Sequence, residues 1–206
     1  MAEDDISGRV RLRELKTLSD NHYTLRRAEF DFQRSDGKWQ DGQRRESYDM
    51  GDGAAVLLWD QTRDRVLLIK QFRWPPFERR YHQLLIEVVA GKLDGDDPEA
   101  CVRREAVEEA GVKIGKVELV SWCFASPGAV TERLSLFIGA YDCAAPRETG
   151  GGHESEGEDI ETLEVSLDAA LAMAANGEIV DMKTILLLQA AKLQANAHLI
   201  SPQDPR

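Results

Sequence analysis

Cysteine is scarce in this chain. Cys101, Cys123 and Cys143 are the three among 206 residues, odd in number, widely spaced and without a C-x-x-C pair. That pattern argues against a disulfide framework and against a thiolate zinc site, so a reducing cytoplasm is the expected compartment. Long hydrophobic runs are missing as well. The longest unbroken one, Ala169 to Ala175, falls far short of the ~20 residues a helix needs to cross a bilayer, and Glu3, Asp4 and Asp5 stand where a targeting segment would begin with basic and apolar residues. No membrane partner is expected. Positive charge is in deficit: 26 Lys and Arg face 37 Asp and Glu, a net charge of -11. Such a field repels polyphosphate backbones, so no nucleic acid is expected as partner, although local arginines and a divalent cation can reverse the sign inside one cleft. Sixteen Gly and seven Pro beside 42% hydrophobic residues are too few for a fibrous or disordered chain.

What is present reads as an α/β protein with one main domain, preceded by a small β subdomain over residues 1–50; the main domain is assigned to 51–200. Tyr23 to Phe32 and Lys38 to Tyr48 flank the turn signal Ser35-Asp36-Gly37. Ala54 to Trp59 and Val66 to Ile69 are continuous apolar runs joined by a polar stretch, which predicts a buried hairpin. Leu84 to Ala90 is a further apolar stretch. Val117 to Phe124 and Leu134 to Tyr141 return to strand character around Ser126-Pro127-Gly128. Glu148 to Glu164 holds seven acids and no Lys or Arg around Gly150 to Gly152, and composition predicts a mobile acidic loop. Two helices are expected to close the chain, one over Ala169 to Ala175 capped by Ser166 or Asp168 and one over Met182 to His198.

The chemistry concentrates in the segment from Gly91 to Val112. Asp97 and Pro98 predict a helix start and Gly111 its stop. At about 100° per residue, Glu105, Glu108 and Glu109 fall within one ~100° arc of that helix. Like charges at this spacing destabilise an isolated helix by roughly 0.2–0.5 kcal/mol per pair, and the C-terminal end of the helix dipole disfavours them further. Local stability does not select such a face. A solvated face offset by Arg103 and Arg104 is the plain alternative. A hard-cation site is the functional one, because Mg²⁺ is held by a few carboxylates with waters and substrate phosphates. The Gly-rich turn before the helix would let a backbone carbonyl near Ala90 and Gly91 add an oxygen. Cys101 is expected to pack in the core.

The segment resembles the Nudix box, G-x5-E-x7-R-E-U-x-E-E-x-G-U, through Gly91, Arg104-Glu105-Ala106, Glu108-Glu109, Gly111 and Val112. The loop from Gly91 to Arg104 is one residue shorter than that pattern, and Asp96 takes the place of the first Glu. Leu18 to His22, Arg44-Arg45-Glu46, Gln71-Phe72-Arg73, Ser126-Pro127-Gly128 with Thr131-Glu132, Gly150 to Glu161 and Gly177 to Lys183 are similar to the nucleoside-diphosphate-sugar branch, nearest in pattern to its GDP-mannose pyrophosphatase subgroup, with ADP-ribose pyrophosphatases next.

The resemblance implies an α/β/α sandwich around a mixed β-sheet, a homodimer that exchanges its N-terminal β part, and Mg²⁺-dependent hydrolysis of the diphosphate bridge of a nucleoside diphosphate sugar, with Mn²⁺ as a possible substitute. It assigns metal contacts to the Ala90 carbonyl, Glu105, Glu109 and Glu158, with Glu108 a further candidate. It gives catalytic roles to Glu105, Glu109 and Glu158, leaving Glu154 and Glu156 open as alternative loop acids. Substrate contacts are implied for His22, Arg44, Arg45, Glu46, Arg73, Gly91, Glu132 and Lys183. A sensor that binds a sugar nucleotide without cleaving it is the rival expectation, and an acidic interaction module a third.

Overall fold

The computed structural model describes residues 5–153, 155 and 157–200, with side chains to residue 197. Glu154 and Glu156 lie outside the described residues. Two compact units are present: the chain up to Asp52 together with Phe124–Arg133, and Gly53–Cys123 together with the described chain from Leu134 onward.

The first unit is built on three antiparallel strands, β1 (Val10–Asp20), β2 (Thr24–Gln33) and β3 (Trp39–Asp49), in that spatial order. Gly37, at φ 81°, donates its N–H to the Arg34 carbonyl and closes the turn between β2 and β3. Strands β2 and β3 follow the two stretches on either side of that turn signal, whereas the sequence does not delimit β1. Register shifts between Leu12 and Glu14 and between Thr17 and Ser19 break the period of two in β1, so no clean alternation marks it. Within β1–β3 only Asp31 is buried.

The second unit is a mixed sheet with helices. Its central strand β4 (Gly53–Asp60) is buried at every position, so both faces are covered. It pairs antiparallel with β5 (Arg65–Gln71), through Leu58–Leu67 and Trp59–Val66, which is the expected buried hairpin. The apolar stretch after residue 84 is not one strand. It divides at Val88 into β6 (Leu85–Glu87), which pairs with β5, and β7 (Val89–Lys92), which pairs with β4. Beyond a five-residue helix α1 (Trp74–Glu78) and the long helix α2 (Pro98–Ala110), β8 (Val117–Phe124) and β9 (Arg133–Ala140) extend the sheet, β9 parallel to β4. The acidic stretch is shorter than composition predicts, because Glu161–Val165 forms β10, an edge strand along β5. Its acids project from an edge exposed to water, which a composition count cannot tell from a loop. The order is β10-β5-β4-β9-β8.

Alternation along β4 sorts the two faces. Ala54, Val56 and Leu58 pack with Leu67, Ile69, Cys101, Val102, Ala106 and Ala110, so α2 covers that side. Helices α3 (Leu167–Asn176) and α4 (Met182–Ile200) pack on each other and against β5 and β4 respectively. Ser166 caps α3 by accepting the Ala169 N–H at 3.1 Å. No helix among the described residues is long and apolar enough to cross a membrane.

Candidate active site

Helix α2 begins where its chemistry requires. Asp97 accepts the backbone N–H groups of Glu99 and Ala100 at 2.9 and 3.3 Å, Pro98 occupies the first turn, and Gly111 ends the helix in the left-handed region at φ 65°. Packing through Cys101, Val102, Ala106 and Ala110 fixes the rotation of the helix. Glu109 is thereby the innermost acid, 1% exposed, while Glu105 and Glu108 are partly buried. Cys101 is buried and its thiol is pushed up to about 11, first by burial and then by the charge of Glu105, so it is a core residue and no nucleophile.

Glu109 accepts the Ala90 N–H at 3.2 Å, which ties α2 to β7. Its carboxyl is pushed up to about 8, chiefly by burial and next by the negative charge of Glu105; Glu158 adds to the rise, against the Ala90 N–H and the charge of Arg73. Burial likewise raises Glu105, with Glu108 and Glu158 adding to it and Arg104 opposing. Gly91 lies directly against Glu105, where a Cβ would run into the Glu105 carboxylate as it now stands. Arg104 holds Glu105 at 2.8 Å and Glu108 at 2.9 Å, and His153 stands 3.4 Å from Glu108.

The glycine run before Glu158 is not a solvated linker. Gly151 and Gly152 donate their N–H groups to the carbonyls of Glu109 and Glu108 at 2.9 Å, and Glu148 donates to the Gly111 carbonyl at 2.8 Å. Gly150, Gly151 and Gly152 all have positive φ, which lets this backbone reach the carbonyls left over at the end of α2. Glu158 Oε2 accepts the His153 N–H at 2.9 Å, and its carboxylate rests against Gly152.

Arg73 and Lys183 meet on Glu87. Arg73 Nη2 and Lys183 Nζ stand 2.9 and 3.3 Å from Glu87 Oε2, and Gln71 Nε2 donates to the same oxygen at 3.2 Å. Sequence reasoning missed Glu87 because it sits in an apolar run. The signal was present nonetheless: an acid inside a buried strand must find a cation or a donor.

The other expected substrate contacts lie in the first unit. Arg44, Arg45 and Glu46 are exposed on β3, where Arg44 Nε donates to Glu29 at 3.2 Å and Arg45 Nη1 donates to the Arg44 carbonyl. Arg45 and Glu46 line a hollow of about 520 Å³ with Phe124, Pro127 and Val130. His22 is exposed and its ring lies against that of Tyr23, centroids 4.3 Å apart and tilted by 50°, and the Glu132 carbonyl accepts the Ala125 N–H.

The structure thus brings Ala90, Gly91, Glu105, Glu109 and Glu158 into mutual influence. Among the described residues no three acids, histidines or cysteines already converge on a single point as a closed ligand set, and Arg104 engages two of the acids. The donor chemistry still fits a hard divalent cation. It consists of carboxylate oxygens, one of them almost wholly buried and held up by neighbouring negative charge that a cation would relieve.

Residues 50–188 match the NUDIX domain family, and residues 9–48 match the GDP-mannose pyrophosphatase NudK N-terminal domain. The chain belongs to the NUDIX family. It is similar to the GDP-mannose pyrophosphatase of Salmonella arizonae, with 44% identity over 89% of this chain and 95% of that protein, and to that of Cronobacter sakazakii, with 44% identity over 90% and 96%. A solved structure described as an ADP compounds hydrolase superposes with a TM-score of 0.71 at 12% identity, covering 92% of this chain and 96% of that one, which shows a shared fold. As a Nudix hydrolase the chain is an enzyme of a family that generally uses a divalent metal.

Proposed function

We propose that this Nudix hydrolase splits the diphosphate bridge of GDP-mannose to GMP and mannose 1-phosphate, with Mg²⁺ as its cation and Mn²⁺ as a substitute. The observation that carries the reading is the buried Glu109 beside Ala90, in a chain 44% identical to a GDP-mannose pyrophosphatase over 89% of its length. Glu105, Glu109, Glu158 and the Ala90 carbonyl would hold the cation, with Glu108 at its margin. A cation bound there neutralises diphosphate charge and lowers the pKa of a water. Glu158 is the proposed general base, and its loop acids Glu154 and Glu156 are the alternatives to test against it. Arg73 and Lys183 grip phosphate oxygens, and Gly91 keeps Glu105 close to the backbone. His22, Arg44, Arg45, Glu46 and Glu132 are proposed contacts to base and sugar.

We further propose a homodimer acting in the cytoplasm. Three strands with one buried residue lack a core of their own, and Leu12, Leu15 and Leu18 on β1 are 60%, 55% and 40% exposed, which a second copy would cover. The free cysteines suit a reducing compartment.

Purified protein with Mg²⁺ and GDP-mannose, with ADP-ribose in parallel, tests the reading by product identification. GMP and mannose 1-phosphate are expected, and AMP with ribose 5-phosphate would shift the substrate to ADP-ribose. Tight binding without product from either would favour a sensor.

A further inference from the structure

We infer that Glu87 is a positioning residue of this enzyme: its buried carboxylate holds Arg73 and Lys183 side by side, and so sets the spacing of the two cations that grip the diphosphate. The inference rests on the phosphate-gripping roles proposed for those two residues.

Three elements meet at Glu87. It ends β6, Arg73 follows β5, and Lys183 stands in the first turn of α4. The Glu87 side chain is 3% exposed, whereas that of Arg73 is 41% exposed. The fixed member of the pair is therefore the acid. Arg73 spends Nε and Nη2 on the two oxygens of Glu87, at 3.4 and 2.9 Å, which turns the opposite edge of its planar fork away from that acid. The positive charge of Arg73 is felt at Glu109, so the fork and the carboxylate cluster share one neighbourhood.

Lys183 is fixed from two sides. Its Nζ lies 3.3 Å from Glu87 and 2.9 Å from Asp181. Asp181 Oδ2 in turn accepts the N–H and the hydroxyl of Thr184, at 2.9 and 2.6 Å. The Thr184 hydroxyl, fully buried, accepts the N–H of Val88 at 2.8 Å. Val88 is the residue at which the chain leaves one strand pairing for the other, and it follows Glu87 directly. A closed ring results, from Glu87 through Lys183, Asp181 and Thr184 back to the backbone beside Glu87. Flexible cationic side chains are locked before any substrate arrives, which is how a binding site avoids losing ordering entropy on association.

The sign of the expected effect separates orientation from charge. Removing a negative charge beside two cations would, through space alone, strengthen the binding of an anionic substrate. Losing the anchor weakens it. Glu87→Gln is therefore expected to raise KM for GDP-mannose by about 10-fold or more while kcat stays within about 3-fold, the signature of lost binding that ground state and transition state share.

The experiment is steady-state kinetics on the full chain with Mg²⁺ for wild type, Glu87→Gln, Glu87→Asp, Arg73→Ala and the Glu87→Gln/Arg73→Ala double variant, each checked for folding by thermal melting. Glu87→Asp keeps the charge but draws it back by one methylene, and a raised KM is expected there too. In the double variant KM should rise above that of Arg73→Ala by clearly less than Glu87→Gln raises it above wild type, because only the hold on Lys183 is then left to lose. An unchanged or lowered KM in folded Glu87→Gln, with KM raised in Arg73→Ala, overturns the inference and leaves the proposed function standing. Multiplied KM effects in the double variant overturn it as well, as would failure of both Glu87 variants to fold, which would make the acid a folding element. If Arg73→Ala leaves KM unchanged, or wild type does not turn over GDP-mannose, the underlying reading fails first.

Discussion

A Cβ placed on Gly91 would fall 2.0 Å from Glu105 Oε1 and 2.3 Å from its carboxyl carbon. Glycine at this position is therefore a condition for where the Glu105 carboxylate rests. The clash is with a side chain and not with backbone, so Glu105 can swing aside. Gly91→Ala should lower kcat/KM by about 10- to 100-fold, the usual range when a group that orients a metal ligand is disturbed. Thermal unfolding should move by only a few degrees. A variant with wild-type turnover would show that the position of Glu105 is immaterial.

Glu109→Gln separates function from stability. The folded-state carboxyl is pushed up to about 8 from an ordinary value of 4.5, by burial first and then by Glu105. Because the folded value is the higher one, ionising Glu109 works against the fold. The cost is absent below about pH 4.5, grows as pH rises between the two values and is complete above about pH 8. Wild type without divalent cation should thus lose melting temperature across this interval, and Mg²⁺ should restore it. Glu109→Gln should show a flatter pH profile, no upward shift with Mg²⁺ and a loss of turnover of at least about 100-fold. Melting curves from pH 5 to 9, with and without Mg²⁺, check all three.

Much of this arrangement was legible in the sequence, for definite reasons. Asp97, Pro98 and Gly111 are local signals, and their geometry depends on neighbours within a turn. The buried hairpin around Leu58 and Leu67 was legible because an apolar run covered on both faces needs no periodicity. Glu87 escaped notice because its partners Arg73 and Lys183 lie 14 residues before it and 96 after it, and only the fold joins them. The break at Val88 was hidden for the same reason, since its N–H is taken up by Thr184. Gly150 to Gly152 read as a mobile loop because composition does not show that their N–H groups meet the carbonyls at the end of α2. Glu161–Val165 shows the converse limit, a strand masked by the acids on its exposed edge.

Asp60 is a structural acid that the chemistry does not use. Its side chain is 4% exposed and accepts N–H groups from Thr62, Arg63 and Cys143 as well as the Arg63 guanidinium at 2.9 Å. Burial alone would raise its pKa, but the Cys143 and Arg63 hydrogen bonds outweigh it and hold the carboxyl well below the usual carboxylate range. With the folded value depressed, the stabilisation is present above about pH 4 and is lost as pH falls toward the folded value. Asp60→Ala should cost about 1–3 kcal/mol at neutral pH by leaving buried donors unpaired. The difference from wild type should shrink in acid, while KM stays near wild type. Denaturant titrations at pH 7 and pH 3 provide the comparison.

The docking of the glycine run on α2 can be isolated by choosing two glycines with nearly the same positive φ. Gly42 and Gly150 have φ of 63° and 60°, so alanine meets a similar left-handed strain at either, roughly 1–2 kcal/mol. Their surroundings differ. Nothing lies within 4 Å of a Cβ at Gly42, whereas at Gly150 it would stand 2.8 Å from the Gly111 nitrogen and 3.0 Å from the Glu109 carbonyl oxygen, both of them backbone. The helix end cannot give way as a flexible side chain would, so the loop must lift. Lifting it removes the hydrogen bonds of Gly151 and Gly152 and displaces Glu158, which follows them. Gly150→Ala should therefore lower kcat by at least about 10-fold, and Gly42→Ala should leave kcat near wild type at a comparable backbone cost. Equal kcat in the two variants would mean that Glu158 keeps its place without the contact between this loop and α2.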